Sequence, residues 1–241
     1  MDSPDPFPVE HGFRMRGARI SRIDVFSDVA LGFALVLLSV SLAIPRSFTN
    51  LRDPNPSFTA SIICFFMLVA VWYSHYVFFR RYGLHDQLTI VLNAALLFLV
   101  LFCAYPLKFL YTTIFTYLVR NDLSPRFAAA VQINGMLVLY ALGFATAFFL
   151  IAALYWNAWR RRGALGLSGL ERLLTVSSIV DALGLAAIGL MACLASLVLL
   201  PRSALYSAVL YFLIVPWKAL NGLYFGRKAR NLRKLVAAPT L

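Results

Sequence analysis

Six long apolar stretches constrain this chain more than any other feature of its sequence. They cover about residues 27–45, 58–79, 87–107, 127–156, 173–200 and 204–226, and a helix needs roughly 20 residues to cross ~30 Å of hydrocarbon. Hydrophobic residues make up 61% of the 241 residues and charged residues only 13%, which is too little polar surface for a soluble domain of this size. The sequence therefore predicts an all-α polytopic membrane protein with six transmembrane helices.

The stretches divide the chain into three predicted parts. Residues 1–21 are expected to form a cytoplasmic amino-terminal segment, residues 22–226 the six-helix transmembrane domain, and residues 227–241 a basic cytoplasmic tail. Pro106 stands at the far end of the third span, where a helix can stop because proline cannot donate the next helical hydrogen bond, and Lys108–Leu123 beyond it either extends this span or lies at the interface. Ser168-Gly-Leu-Glu171 has the spacing of a capping box and predicts the start of the fifth helix.

The net charge of +12 is unevenly distributed along the chain. With the amino terminus in the cytoplasm, the basic clusters at 14–22, 80–81, 160–172 and 227–234 all fall on the cytoplasmic side. This asymmetry in short loops is the positive-inside pattern and predicts that both termini are cytoplasmic. The clusters are interpreted as topology signals and candidate contacts to anionic lipids, and not as a nucleic-acid-binding groove.

Polar residues of the first three helices are predicted to lie at one depth. A helix rises about 1.5 Å per residue, which places these residues about one to two turns from the cytoplasmic surface. Polar side chains at membrane depth normally face the bundle and pair with one another. The sequence therefore predicts a network that fixes the first helix against the next two, formed by Arg22, Ser27, Asp28, Trp72, His75 and Asn93.

Two further charges lie deep in the last two helices. Asp181 is about eight residues into the fifth predicted span and Lys218 about eight residues from the end of the sixth. An isolated charge at this depth is costly, so a hydrogen-bonded ion pair is one interpretation. In the alternative, Lys218 extends to the interface and Asp181 bonds a hydroxyl group of Ser177 or Ser178.

These residues resemble the pattern of the transmembrane protein 175 family of potassium channels. The resemblance rests on Arg22-x-x-x-Phe26-Ser27-Asp28, on Trp72-x-x-His75 with Phe79-Arg80-Arg81, and on Leu92-Asn93 with Pro106. It implies the prokaryotic form with one six-helix unit per chain, in the cell membrane. It further implies a homotetramer whose first helices line a central potassium pore, with no filter loop of the Thr-Val-Gly-Tyr-Gly type and no cofactor besides the permeant ion.

The resemblance places pore-lining residues on the first helix. Phe33, Leu37, Val40 and Ile44 stand at i, i+4, i+7 and i+11 on one helical face, and apolar constrictions are known to gate by dewetting. In the alternative, this stripe packs against a neighbouring helix or lipid. Where the family usually carries a smaller aliphatic residue and then a threonine, this chain has Phe33 and Val36, so weak selectivity for potassium over sodium is expected. Tyr76 also replaces a second histidine.

Two other classes of protein are considered. A proton-coupled secondary transporter, or a proton-permeable channel of the same fold, would use Asp28, His75, Asp181 and Lys218 as a titratable chain. Against a transporter, the sequence has no inverted repeat and no pair of helices broken by Gly or Pro at matching positions.

An integral-membrane enzyme is the least favoured class. It would need a nucleophile or a set of metal ligands, and His75 is the only histidine inside an apolar stretch. Cys64, Cys103 and Cys193 lie singly within apolar stretches and are interpreted as small buried hydrophobic residues. No metal site and no enzymatic activity are therefore expected.

Overall fold

The computed structural model describes residues 7–10, 12–40, 56–120, 127–198 and 209–237. Six α-helices account for most of them, which confirms the predicted helical architecture. They are α1 Arg22–Val40, α2 Pro56–Tyr82, α3 Gln87–Arg120, α4 Phe127–Arg160, α5 Gly169–Val198 and α6 Ile214–Ala237. A single 3-10 turn, Tyr211–Leu213, leads into α6.

Helix α1 begins at Arg22, five residues before the predicted start of the first span. Ser21 caps it: the Ser21 backbone N–H and hydroxyl group donate to Asp24 Oδ2 at 2.9 and 2.8 Å, and the Asp24 N–H donates back to Ser21 Oγ at 3.2 Å. This reciprocal pair satisfies backbone donors at the helix start, so the helix begins in polar sequence ahead of its apolar stretch.

Two helices, α3 and α6, run more than about ten residues past their predicted ends. Helix α3 continues through Pro106 to Arg120, so Pro106 does not end the third helix, and of the two alternatives for the segment after it, extension of the span is the one observed. In hydrocarbon, ending a helix exposes more unsatisfied backbone groups than the one hydrogen bond that proline removes, and proline is tolerated inside membrane helices for this reason. Helix α6 continues from the sixth apolar stretch through residues 227–237, so most of the predicted basic tail is helical.

The amino-terminal segment adds a small β-hairpin to the all-α prediction. Strands β1 (Val9–Glu10) and β2 (Phe13–Arg14) pair antiparallel. The chain then passes the carboxyl end of α2, where the Gly17 N–H donates to the Arg80 carbonyl at 3.0 Å. A Cβ atom at Gly17 would lie 2.1 Å from the Phe79 carbonyl oxygen, so only glycine permits this approach.

Aromatic rings join the amino-terminal segment to the helical bundle. Phe13 packs edge-on against Tyr82 with 5.4 Å between ring centroids, and Phe78 lies 5.2 Å from Tyr155 of α4. These four side chains are buried in the main core of the molecule. Burial on this scale anchors the hairpin to α2 and α4, because each fully buried aromatic side chain contributes about 1.5–3 kcal/mol.

The outer surface of the bundle is apolar over the depth of a membrane. Asn134–Arg160 and Gly169–Val198 are the two described segments that are both long and apolar enough to span a bilayer, with mean hydropathies of 2.4 and 2.0. Large hydrophobic side chains such as Phe98, Phe149 and Leu194 are exposed on α3, α4 and α5. An apolar surface of this extent is typical of contact with lipid or with other protein chains.

Candidate functional site

One face of α1 is buried and carries a single polar residue. Ser27, Leu31, Ala34 and Leu38 recur at i, i+4, i+7 and i+11, and all four are buried. Helix α1 packs there against α3 and α2. The sequence of this stripe therefore fixes which side of α1 faces the bundle, with Ser27 as its one polar anchor.

Ser27 belongs to a hydrogen-bonded network that joins α1, α2 and α3. The Ser27 hydroxyl group donates to the Ile23 carbonyl at 2.8 Å and accepts from Asn93 Nδ2 at 2.8 Å. Asn93 Oδ1 faces His75 Nε2 at 2.7 Å. Because the one hydroxyl proton of Ser27 goes to Ile23, the amide nitrogen of Asn93 must face Ser27, and His75 must donate from Nε2.

Asp28 and Trp72 form a second, separate contact at the same level. The Trp72 indole N–H donates to Asp28 Oδ1 at 2.8 Å, and the Trp72 ring stacks on Tyr76 with 5.5 Å between centroids. A shallow groove of about 270 Å³ between α1 and α2 adjoins this contact. The bond gives the Asp28 carboxylate a donor at the edge of the bundle, where an unpaired charge would be costly.

Arg22 and Phe26 lie outside this network. Both side chains are exposed, and among the described residues Arg22 forms no hydrogen bond or ion pair. Successive helical residues are rotated by about 100°, so Phe26 and Arg22 project about 100° and 140° away from Ser27. The predicted single network of six residues is thus, in the structure, two smaller contacts: the buried one of Ser27, Asn93 and His75, and that of Asp28 and Trp72 at the edge of the bundle.

The opposite face of α1 is apolar and uncovered. Val29, Phe33 and Val36 are 66%, 56% and 54% exposed, whereas Leu37 is half-buried at the flank of this face. The side chain of Val40 and the whole of Ile44 lie outside the described residues. The uncovered face is therefore centred on Val29 and Val36, with Phe33 beside them.

Asp181 and Lys218 meet between α5 and α6. Lys218 Nζ lies 2.7 Å from Asp181 Oδ2, and the Trp217 indole N–H donates to the Asp181 carbonyl at 3.2 Å. A Cβ atom at Gly184 would lie 2.0 Å from the Trp217 ring, so the glycine makes room for the indole. The ion pair and the tryptophan together hold α6 against α5.

A buried glutamate at the start of α5 binds two arginines of the amino-terminal segment, a contact that the sequence analysis missed. Glu171 is 1% exposed, and its two carboxylate oxygens accept from Arg16 at 3.0 Å each and from Arg14 at 3.4 and 3.3 Å. The Ser168 N–H donates to the same carboxylate at 2.7 Å, completing the predicted capping box. We call the set of Arg14, Arg16 and Glu171 the amino-terminal clamp.

A fourth polar contact, also missed, joins α3 to α4. Asn157 Nδ2 donates to Asp86 Oδ2 at 3.2 Å and to Thr89 Oγ1 at 3.0 Å, and Arg161 pairs with Asp86 at 3.0 Å. Partial burial opposes ionisation of Asp86, but the hydrogen bonds from Thr89 and Asn157 and the charge of Arg161 outweigh it and lower the pKa of this carboxyl group. The sequence does carry a signal for this contact. Asp86 stands just before α3 and three residues before Thr89, a position at which an aspartate typically caps a helix.

The described residues offer no obvious site for catalysis or for a metal ion. No three His, Cys, Asp or Glu side chains among them lie close enough to hold a metal. Cys64, Cys103 and Cys193 are free thiols. The polar contacts described above connect helices to one another, and they leave the apolar face of α1 open, as they do the exposed apolar side chains of α3, α4 and α5.

Comparison with known proteins identifies the family. A curated potassium channel from Marivirga tractuosa is 35% identical over 233 residues, covering 91% of this chain and 93% of the relative. The family model described as the endosomal/lysosomal potassium channel TMEM175 matches residues 22–106. The chain belongs to the TMEM175 family. A potassium channel from Streptomyces collinus is 26% identical over 58% of this chain and 64% of the relative.

Solved structures agree with the TMEM175 assignment. A variant of the potassium channel MtTMEM175, crystallised with a nanobody fusion protein, superposes with a TM-score of 0.74 at 30% identity, covering 91% of this chain and 99% of that chain. A TMEM175 homologue from Chamaesiphon minutus shares the fold, with a TM-score of 0.58 at 20% identity over 83% of this chain and 96% of that chain. As a TMEM175 protein the chain is an integral membrane protein, and its family is one of channels and not a class of enzymes.

The TMEM175 match covers the first two contacts but not the others. The matched residues 22–106 contain every side chain of these two contacts: Ser27, Asp28, Trp72, His75 and Asn93. The amino-terminal clamp and the Asp181–Lys218 pair lie wholly outside that region, and the contact of Asp86 with α4 lies partly outside it. The part of the chain that defines the family is therefore the part that buries one face of α1 and leaves the other open.

Proposed function

We propose that this protein is a potassium-permeable cation channel whose pore is lined by the uncovered face of α1 from several copies of the chain. The observation that carries the proposal is the division of α1 into a face held by Ser27 and an apolar face with no covering element among the described residues. A pore built from one helix per chain requires closed rotational symmetry. The names of the relatives support potassium as the permeant ion, and the family resemblance supports four copies.

The narrowest part of the proposed pore is apolar. Phe33 and Val36 lie on or beside the centre of the uncovered face, with Leu37 at its flank and Val40 and Ile44 as predicted continuations. Rings of such side chains exclude water when they approach one another and thereby block ions without a plug. Opening then requires the α1 helices to tilt or rotate away from the pore axis.

The same residues favour weak ion selectivity. Discrimination of potassium from sodium needs oxygen ligands that replace the ion's hydration shell. Phe33 and Val36 have no side-chain oxygen, and α1 is continuously helical here, so its carbonyl groups are used in the helix. Potassium is therefore expected to be favoured over sodium only modestly.

The inner contacts act as the mechanical support of the proposed pore helix. Ser27, Asn93 and His75 tie α1 to α2 and α3 at one level, and Asp28 with Trp72 adds a second tie to α2. A change in these bonds changes the tilt of α1, so they are expected to control opening. In this proposal the protein works in the cell membrane of a prokaryote, without a cofactor and without nucleic acid as a partner.

A proton-coupled transporter is not favoured. His75 is held by Asn93, Asp28 by Trp72, and Asp181 by Lys218, so each titratable group has its own partner. The relatives are named potassium channels. Strict coupling of substrate flux to protons would be needed to reverse this preference.

The proposal is tested by measuring potassium and sodium flux into proteoliposomes that contain the purified protein. We expect potassium flux in the wild type and a severalfold increase in Phe33→Ala, because the smaller side chain widens the apolar ring. Phe149→Ala, an equal change at an exposed phenylalanine of α4, is the matched control and should leave flux unchanged. Silence of all three proteins, or an equal response of both variants, would contradict a constriction at Phe33.

A further inference from the structure

The outward row of α6 changes abruptly from apolar to basic. Pro216, Leu220 and Leu223 are followed by Arg227, Arg230 and Lys234, at alternating spacings of four and three residues that keep them on one helical face. All six are exposed. From residue 227 to residue 237 the helix has five basic residues and no acidic residue. We propose that this row binds an anionic phospholipid, with the acyl chains along Leu220 and Leu223 and the phosphate at Arg227 and Arg230.

The opposite face of α6 is the one that packs on the protein. Trp217 and Asn221 donate to carbonyl groups of Asp181 and Ser177 on α5, and Phe225 is buried one turn further along. The basic row is rotated by about half a turn from these contacts. Among the described residues it is therefore turned outward from α5, where lipid surrounds a membrane protein.

The direction of the helix favours contact with phosphate groups. Side chains of an α-helix lean toward its amino terminus, and the amino-terminal half of α6 is the half inside the membrane. The basic side chains therefore lean back toward the bilayer surface and not away from it. Arg227 and Arg230 are separated by about 4.5 Å along the helix axis, which fits within the headgroup layer of about 5–7 Å on one side of a bilayer.

A neighbouring contact marks the same boundary. Lys228 Nζ donates to the Tyr224 hydroxyl group at 2.6 Å and lies 4.4 Å from the centroid of the Tyr224 ring. Tyrosine is enriched at the headgroup level of membranes, and lysines beside it extend back toward the phosphates. The positive charge of the row fits an anionic phospholipid, because a neutral headgroup would leave that charge uncompensated.

The test measures the lipids that stay bound to the purified full-length protein. Three proteins are compared: wild type, Arg227→Gln/Arg230→Gln, and the charge-matched control Arg46→Gln/Arg52→Gln, whose residues lie between the first two apolar stretches and outside the cytoplasmic basic clusters. Each is exposed to micelles with equal phosphatidylglycerol and phosphatidylcholine, and bound lipid is measured by native mass spectrometry. Each basic residue near an anionic surface changes binding about fivefold. We therefore expect about thirty-fold weaker phosphatidylglycerol binding in the α6 variant and near wild-type binding in the control.

Two further arms separate this site from its alternatives. Arg227→Lys/Arg230→Lys keeps the charge and should restore binding, whereas inorganic phosphate at constant ionic strength should not displace the lipid. Equal phosphatidylglycerol binding in the wild type and the Gln variant, equal losses in variant and control, or displacement by phosphate would overturn the proposal. Unchanged lipid binding together with a smaller oligomer by light scattering would assign the row to contact between copies of the chain. None of these readouts depends on ion flux.

Discussion

Asn93 Nδ2 lies 2.8 Å from Ser27 Oγ, while the other end of the same amide lies 2.7 Å from His75 Nε2. One side chain of α3 thus satisfies polar groups of both α1 and α2 in a buried setting. A double role of this kind makes the amide hard to replace, because its loss leaves His75 Nε2 without its partner and removes the bond that Ser27 Oγ accepts, although Ser27 still donates to the Ile23 carbonyl.

Asn93→Ala is expected to destabilise the protein by about 1–3 kcal/mol, the typical cost of one unsatisfied buried group, because His75 Nε2 loses its partner. Thermal unfolding in detergent measures the effect. Thr146→Ala is the control, because Thr146 is exposed on α4 and bonds only to the carbonyl of its own helix at Leu142. Unfolding of Asn93→Ala at the control's temperature would show that the network is not an important support of α1.

The amino-terminal clamp predicts a second large effect. Glu171→Gln removes the charge that two arginines share and leaves Arg16, which is 8% exposed, without an ionic partner. Breaking a buried pair typically costs about 3–5 kcal/mol, and the partial exposure of Arg14 reduces this to about 2–3 kcal/mol. Unfolding temperature measures the loss, and hydrogen exchange should rise at residues 12–17.

Glu10→Gln is the matched control for the clamp. Glu10 lies in the same amino-terminal segment and pairs with Arg80 of α2, but both side chains are more than a third exposed, so the expected cost is below about 1 kcal/mol. Equal effects of the two substitutions would mean that the burial of Glu171 contributes nothing to the attachment of the hairpin.

Asp86 predicts a specific dependence of stability on pH. The pKa of Asp86 is lowered in the folded protein from its ordinary value of 3.8. Ionised Asp86 therefore stabilises the fold at pH values above 3.8, and this contribution is lost as the pH falls through the lower pKa of the folded state. Wild type should therefore lose more stability than Asp86→Asn between pH 6 and pH 3. Other carboxylates titrate in this range, so the measured quantity is the difference between the two unfolding curves, and parallel curves would contradict the predicted role of Asp86.

The sequence was sufficient for the helices and for the depth of the inner contacts. Hydropathy predicts six helices, and the rise per residue places Ser27, His75 and Asn93 at one level. Depth says nothing about rotation around the helix axis. Arg22 and Phe26 share the level of the network, but they project from the other side of α1, and the buried stripe through Leu31 and Leu38 was the signal that separates the two faces.

The amino-terminal clamp was beyond the reach of periodicity. The described residues 7–10 and 12–20 form no long element, and the carboxylate that binds Arg14 is 157 residues away in the sequence. Glu171 was recognised only as a member of a capping box. Its position as a lone acidic residue within the basic cluster at 160–172 was the available sign that it compensates arginines from elsewhere, but which arginines depends on the tertiary fold.

Val36→Thr predicts a gain of selectivity in the proposed pore. The substitution keeps the β-branched shape and adds one hydroxyl oxygen per chain on the uncovered face of α1, where it replaces part of the hydration shell of a permeating ion. We expect the ratio of potassium to sodium flux in proteoliposomes to rise severalfold. Val29→Thr places the same hydroxyl group on the same face two turns nearer the cytoplasmic end and should change the ratio little, because it lies outside the constriction. Equal ratios in all three proteins would remove Val36 from the selective part of the pore, whereas a rise only in Val29→Thr would move the constriction toward the start of α1.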